Sequence, residues 1–100
     1  MSFRISCGEK KHAGGKIVKV CLRFYEDEIR GVIITGDFFA EPDHVYDSLI
    51  SELSSLRIGR DRVMETVINM IRERGLKLHG VTMDEVREAI RRALEEGMRS

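Results

Sequence analysis

Two cysteines and three histidines are the residues of this sequence best suited to nucleophilic or metal chemistry, and their spacing supports neither. Cys7, His12 and Cys21 would offer three metal ligands if adjacent strands brought the cysteines together, but three ligands at this spacing match no structural zinc pattern. Lys10 and Lys11 lie close to Cys7 and would favour its thiolate. No histidine and acid stand where they would orient that thiolate as a nucleophile. The plainer reading is a cysteine pair in the core or at a strand edge, with His12 on the surface. His44 and His79 fall at a helix start and in a loop. No catalytic residue and no metal ligand is assigned.

Two other segments carry more than folding requires. Lys10, Lys11, His12, Ala13, Gly14, Gly15 and Lys16 form a basic stretch with two consecutive glycines, which allow a backbone to come close to an anion or an acidic partner surface. A phosphate-binding P-loop is excluded, because that motif needs GxxxxGK[ST] between a strand and a helix; here Ile17 follows the lysine and opens a strand. Thr35, Gly36, Asp37, Phe38 and Phe39 place two large aromatics side by side. Neighbours along an extended chain point to opposite sides, so one aromatic can fill the core while the other faces a neighbour or a groove; packing of both beneath the following helix is the plainer alternative. Asp37 and Glu41 lack the surroundings for general acid–base work and are read as fixing the turn and the helix start.

The elements that must hold these segments follow from periodicity. Residues 3–7 alternate as a short strand, and residues 8–15 read as a loop. From Lys16, the residues Val18, Val20, Leu22 and Phe24 point to one side, while Ile17, Lys19, Cys21, Arg23 and Tyr25 point to the other. Residues 26–28 form a polar turn, and the β-branched run 29–35 returns as a hairpin partner with Val32 and Ile34 on the core side. Pro42 suits the first turn of a helix, whose stripe is Val45, Leu49, Leu53 and Leu56, flanked by Tyr46 and Ile50. Residues 57–60 break it. Asp61 is placed to cap a second helix running to Arg74 with Met64, Val67, Ile68 and Ile71 inward, and Gly75 sits where a C-terminal cap belongs. Thr82 and Glu85 spell a capping box for a last helix that buries Met83, Val86, Ile90 and Leu94. On its outer side Glu88 with Arg92, and Arg92 with Glu96, stand at i,i+4 spacing. Strands precede helices and no βαβ unit is visible. The expected fold is α+β, an antiparallel sheet of about three strands with three helices packed on one face.

Composition bounds the function. One hundred residues make one domain, and 42% hydrophobic content supports a single core without staples. Formal net charge is zero, where a nucleic-acid-binding domain usually leans basic. The balance hides a gradient: residues 1–24 hold six Lys/Arg against one acid, and residues 25–56 hold eight acids against one Arg. The two cysteines lack CxxC spacing and no secretory leader is visible, which makes a reducing compartment the default. No apolar run approaches a spanning helix, so no membrane partner is expected and the protein is read as cytoplasmic.

The run from Lys11 through Gly14, Gly15 and Lys16 to Val20, followed by Ile33 through Gly36, Asp37, Phe38 and Phe39 to Pro42, resembles the accessory C-terminal domain of lipoate–protein ligases. Gly80, Val81, Thr82, Met83, Asp84, Glu85 and Val86, with Ala89, Ile90, Ala93 and Leu94, are similar to that domain's last helix. The likeness covers about residues 10–96 and is most specific in its first two motifs. It implies that residues 1–100 are a single accessory domain, which in some archaea is a separate small subunit beside a catalytic one. It also implies a fold of the kind shared with sulfur-transfer and iron–sulfur scaffold proteins. The activity implied, for the pair, is ATP-dependent conversion of lipoate to lipoyl-adenylate before transfer to a lysine of a carrier domain. ATP, magnesium and lipoate belong to the complex, and no cofactor to this chain alone. The working surface implied is Lys11, Gly14, Gly15, Lys16, Gly36, Asp37, Phe38 and Phe39, facing the catalytic subunit or the adenylate, with the carrier domain as a transient partner. Two other classes stay open: a stand-alone scaffold or sulfur acceptor of the same fold, which needs a reactive exposed cysteine, and a small nucleic-acid-binding protein using residues 75–81 as a loose helix-turn-helix connection.

Overall fold

Three long strands and three helices enclose one core. A computed structural model describes residues 3–99. In chain order the elements are β1 (Phe3–Lys11), β2 (Ile17–Tyr25), β3 (Glu28–Gly36), β4 (Phe39–Glu41), α1 (Asp43–Ser54), β5 (Arg57–Gly59), α2 (Val63–Glu73), β6 (Lys77–His79) and α3 (Met83–Gly97). The main sheet is antiparallel with order β1-β2-β3-β5, and β4 pairs with β6 in a second, two-stranded sheet. This is the expected α+β architecture with one more strand in the main sheet and a small sheet beside it. Both additions are made of three-residue strands, too short to display alternation. The connection before α3 is thus partly strand, not the turn of a helix-turn-helix.

The predicted core side of β2 holds: Val18, Val20, Leu22 and Phe24 are buried against Leu49, Leu53, Val67, Ile68, Val86 and Ile90. On β3, Val32 and Ile34 are joined by Ile29, which simple alternation would have turned outward. A register shift between Leu22 and Phe24 resets the phase, so Leu22 opposes Val32 while Phe24 opposes Ile29. A bulge of this kind bends the strand and keeps both ends of its apolar set on the core.

β1 does not stop at Cys7. It continues to Lys11, pairing with β2 along its whole length, because Gly8 is an inward position and not a breaker. A Cβ on Gly8 would lie 2.4 Å from the Ala89 carbonyl oxygen and 2.4 Å from the Ala93 amide nitrogen. The absent side chain lets α3 lie directly on the strand. Gly97 does the same at the helix end, where a Cβ would meet the Phe24 ring at 2.4 Å. Arg4 reaches the Gly97 carbonyl, and Arg92 donates to the Glu9 carbonyl at 2.7 Å.

Cap assignments divide. Thr82 and Glu85 form the complete capping box, and Gly75 follows α2 with φ +64°. Asp61 does not cap α2. Arg62 occupies that position with no side-chain cap, since the chain makes a turn through Gly59 and Arg62 first, with the Arg62 amide bonded to the Gly59 carbonyl. Pro42 precedes α1 as its N-cap, following a cis Glu41–Pro42 bond. On α3, Glu88 binds Arg92 at 3.0 Å as expected, whereas Arg91 takes Glu88 and Glu95; the Arg92–Glu96 pair does not form among the described residues. No helix among them is long and apolar enough to cross a membrane.

Candidate functional site

The two segments singled out by composition meet. β1 and β2 are joined by residues 12–16, and Gly14 and Gly15 both take φ +97° with nothing within 4 Å of where a side chain would stand. Their role is therefore to turn the chain, not to admit a close neighbour. The close approach is made instead at Gly36, where a Cβ would lie 2.1 Å from the Ile17 carbonyl oxygen. That contact lets Asp37 bind Ile17 twice: its carboxylate accepts the Ile17 N–H at 2.6 Å, and its own N–H donates to the Ile17 carbonyl at 3.3 Å. Asp37 is a clasp between the basic loop and the aromatic pair.

A third segment closes the junction. A Cβ on Gly80 would lie 3.5 Å from Lys16 Cγ and 3.5 Å from Phe38 Cβ, so the residues leading into α3 sit against both motifs. His12, expected at the surface, reaches Glu85 through Nδ1 at 2.7 and 2.9 Å. Glu85 therefore serves the capping box and the loop together. Burial alone would raise its pKa, but the hydrogen bonds from the Thr82 amide and from His12 outweigh that and lower it. Spacing carried no signal for this pairing across 73 positions.

The aromatic pair splits as opposite-pointing neighbours should. Phe38 packs on the core and meets Tyr46 edge-on at 6.2 Å between ring centroids. Phe39 is 60% exposed and stacks on His79 at 4.6 Å, while His79 Nε2 bonds Glu41 at 2.6 Å. Glu41 thus works through β6 and not at a helix start. Phe38, Phe39, Ala40, Asp43, Tyr46 and Asp47 line a concavity of about 310 Å³. Burial raises the Tyr46 hydroxyl's pKa, with the Asp47 charge adding to it. Lys11 ends β1 on the open side, and Lys16 lies on the loop; neither has an ion-pair partner among the described residues.

The cysteines are not a metal site. Cys7 and Cys21 are register partners across β1 and β2 and are joined as a disulfide, although the sequence made a reducing compartment the default. The extension of β1 past Cys7 is what puts the two side chains opposite each other on one side of the sheet. His12 points away to Glu85. No group of three or more His, Cys, Asp or Glu suited to a metal ion occurs among the described residues.

No protein-family model matches the sequence, and no curated protein sequence does. A solved structure does match, with a TM-score of 0.69 and 19% identity, covering 89% of this chain and 97% of the other. It comes from a structural analysis of an archaeal lipoylation system, a bipartite lipoate protein ligase and its E2 lipoyl domain from Thermoplasma acidophilum. At that identity the likeness establishes the fold, and it does so over nearly the full length of both chains.

Proposed function

We propose that this chain is the accessory, non-catalytic subunit of a bipartite lipoate–protein ligase, acting in a heterodimer with a catalytic subunit. The pair activates lipoate with ATP to lipoyl-adenylate and then passes lipoyl to a carrier-domain lysine. The observation that carries this reading is the fold match, over 89% of this chain, to a chain from an archaeal lipoylation system. The three segments whose residues resemble the ligase accessory domain also converge, with Gly36 against Ile17 and Gly80 against Lys16 and Phe38. A motif resemblance spread over separate segments gains weight when the fold assembles them at one point.

The working surface in this reading is Lys11, Gly14, Gly15, Lys16, Gly36, Asp37, Phe38 and Phe39. Asp37, Gly36 and Phe38 hold the surface together, while Lys11, Lys16 and Phe39 face outward. Such a subunit helps by ordering its partner's loops over the adenylate and keeping water out. The ATP, magnesium and lipoate are held by the catalytic subunit.

The test is reconstitution. The chain alone, given lipoate, ATP and magnesium, is expected to form no lipoyl-adenylate; added to the cognate catalytic subunit, it raises that partial reaction from near nothing. Adenylation by the isolated chain overturns the reading, as does a catalytic subunit indifferent to its presence. A lipoyl mass gained by this chain itself would make it the carrier instead.

A further inference from the structure

The face of the main sheet turned away from the helices is apolar at its centre. Phe3, Ile5 and Ile33 are 55%, 67% and 42% exposed, three of the five large hydrophobics exposed among the described residues. They surround the Cys7–Cys21 disulfide, since Cys7, Cys21 and Ile33 stand side by side across β1, β2 and β3. Phe3 packs on Tyr25 at 5.1 Å between centroids. Antiparallel sheets commonly leave one face to water, but that face then alternates to polar residues. This one does not.

Basic groups outnumber acids around that centre, Lys11, Lys19, Arg23 and Arg30 against Glu9 and Glu28. Lys11, Lys19 and Arg23 lie on the same face, and none is bonded to a carboxylate among the described residues; Arg23 sits over the Phe3 ring at 6.0 Å. Of the acids there, Glu28 is already held by Arg30 and Arg57, which leaves Glu9 opposite Lys19. At about 3.3 Å per residue and about 4.8 Å between strands, three nine-residue strands present roughly 400 Å². The whole face, charged border included, is about half of one partner's share in a standard interface.

We infer that this open sheet face is a docking surface for a protein partner with an apolar centre and an acidic rim, and, resting on the accessory-subunit reading, that the partner is the ligase catalytic subunit. Charge favours an acidic partner over a second copy of this chain, because two such faces would bring together two basic excesses, each of Lys11, Lys19, Arg23 and Arg30 against Glu9 and Glu28. The area decides that the contact runs past the face. Lys11 and Ile17 border residues 12–16, so the extra area is supplied where the face passes into the basic loop of the proposed working surface. The disulfide holds the two strands of the patch in register before any partner arrives.

Isothermal titration of the catalytic subunit with the intact chain tests this. The double variants Ile5→Glu/Ile33→Glu and Ile5→Thr/Ile33→Thr are compared with Arg91→Ala, whose side chain lies on the helical side. The threonine pair keeps β-branching, so loss of fold cannot stand in for loss of contact. Both pairs should weaken binding at least tenfold, with Arg91→Ala within twofold. Arg23→Glu should chiefly slow association. Binding by wild type that is unchanged in both folded double variants overturns the docking face but leaves the accessory reading intact. Absence of any wild-type complex overturns both. Sedimentation that finds a dimer of this chain, abolished by the same substitutions, makes the occupant a second copy and also overturns the proposal.

Discussion

Gly8→Ala should damage this protein out of proportion to one methyl group. The new Cβ would stand 2.4 Å from the Ala89 carbonyl oxygen, 2.4 Å from the Ala93 amide nitrogen and 2.7 Å from Arg92 Cβ. A carbon–oxygen contact relaxes to about 3.3 Å, so α3 has to lift from β1 by about 0.9 Å. Neither clashing backbone atom can rotate aside, as a side-chain end would. A gap of that size forfeits about a quarter to a half of each dispersion contact it opens, and the contacts involved are those of Val86, Ala89, Ile90 and Ala93, the buried stripe of the helix. The Arg92 bond to the Glu9 carbonyl is next to the clash and is strained as well. Overpacking generally costs about 1–3 kcal/mol; the backbone identity of both obstacles puts Gly8→Ala at the upper end, about 3 kcal/mol. With a urea dependence of about 1.5 kcal/mol per molar, the unfolding midpoint followed by far-ultraviolet circular dichroism should fall by about 2 M. Gly15→Ala is the comparison, since it meets nothing within 4 Å and carries only the cost of its positive φ, about 1 kcal/mol. A Gly8→Ala midpoint within experimental error of wild type would refute the claim that α3 rests on a bare strand.

Other outcomes follow from the same geometry. Replacing Cys7 and Cys21 together with serine opens a disulfide spanning 14 positions and should cost about 3 kcal/mol in chemical denaturation; an unfolding midpoint equal to that of wild type would show the bridge to be idle. Lys16→Ala or Phe39→Ala should lower adenylation by the pair at least tenfold, with Arg91→Ala changing little, and the opposite pattern would move the working surface to the helical side. Acid should loosen α3 first. Arg91, then Arg92, holds the Glu88 carboxylate at a pKa of about 2, and Glu85 is lowered from the same ordinary value of 4.5. Both bind fewer protons folded than unfolded, so their stabilisation is present above pH 4.5 and is lost as pH falls toward 2. Glu88→Gln should flatten that part of the stability curve, and an unaltered acid limb would show the pairs to be idle.

Local chemistry was enough to place much of this molecule from its sequence. The alternation of Val18, Val20, Leu22 and Phe24, the stripes of Val67, Ile68 and Ile71 and of Val86 and Ile90, and the Thr82–Glu85 capping box each depend on residues within a turn or two of each other, and each stands where expected. The opposed directions of Phe38 and Phe39 follow from strand geometry alone. What only the tertiary structure decided depends on contacts between distant segments. Gly8 read as a breaker because nothing nearby in sequence discloses that α3 needs the space above it. Cys7 and Cys21 became partners only through a strand longer than its alternation suggested. Three-residue β5 and β6 are strands because Glu28–Arg30 and Phe39–Glu41 offer them edges to pair with, which no pattern of three residues can announce. The site has the same division. Lys16, Asp37 and Phe39 stood out by type, but the clasp of Asp37 on Ile17 and the bridge from His12 to Glu85 exist because folding closes gaps of 20 and 73 positions, and pairing over such separations is set by the packing of the whole core.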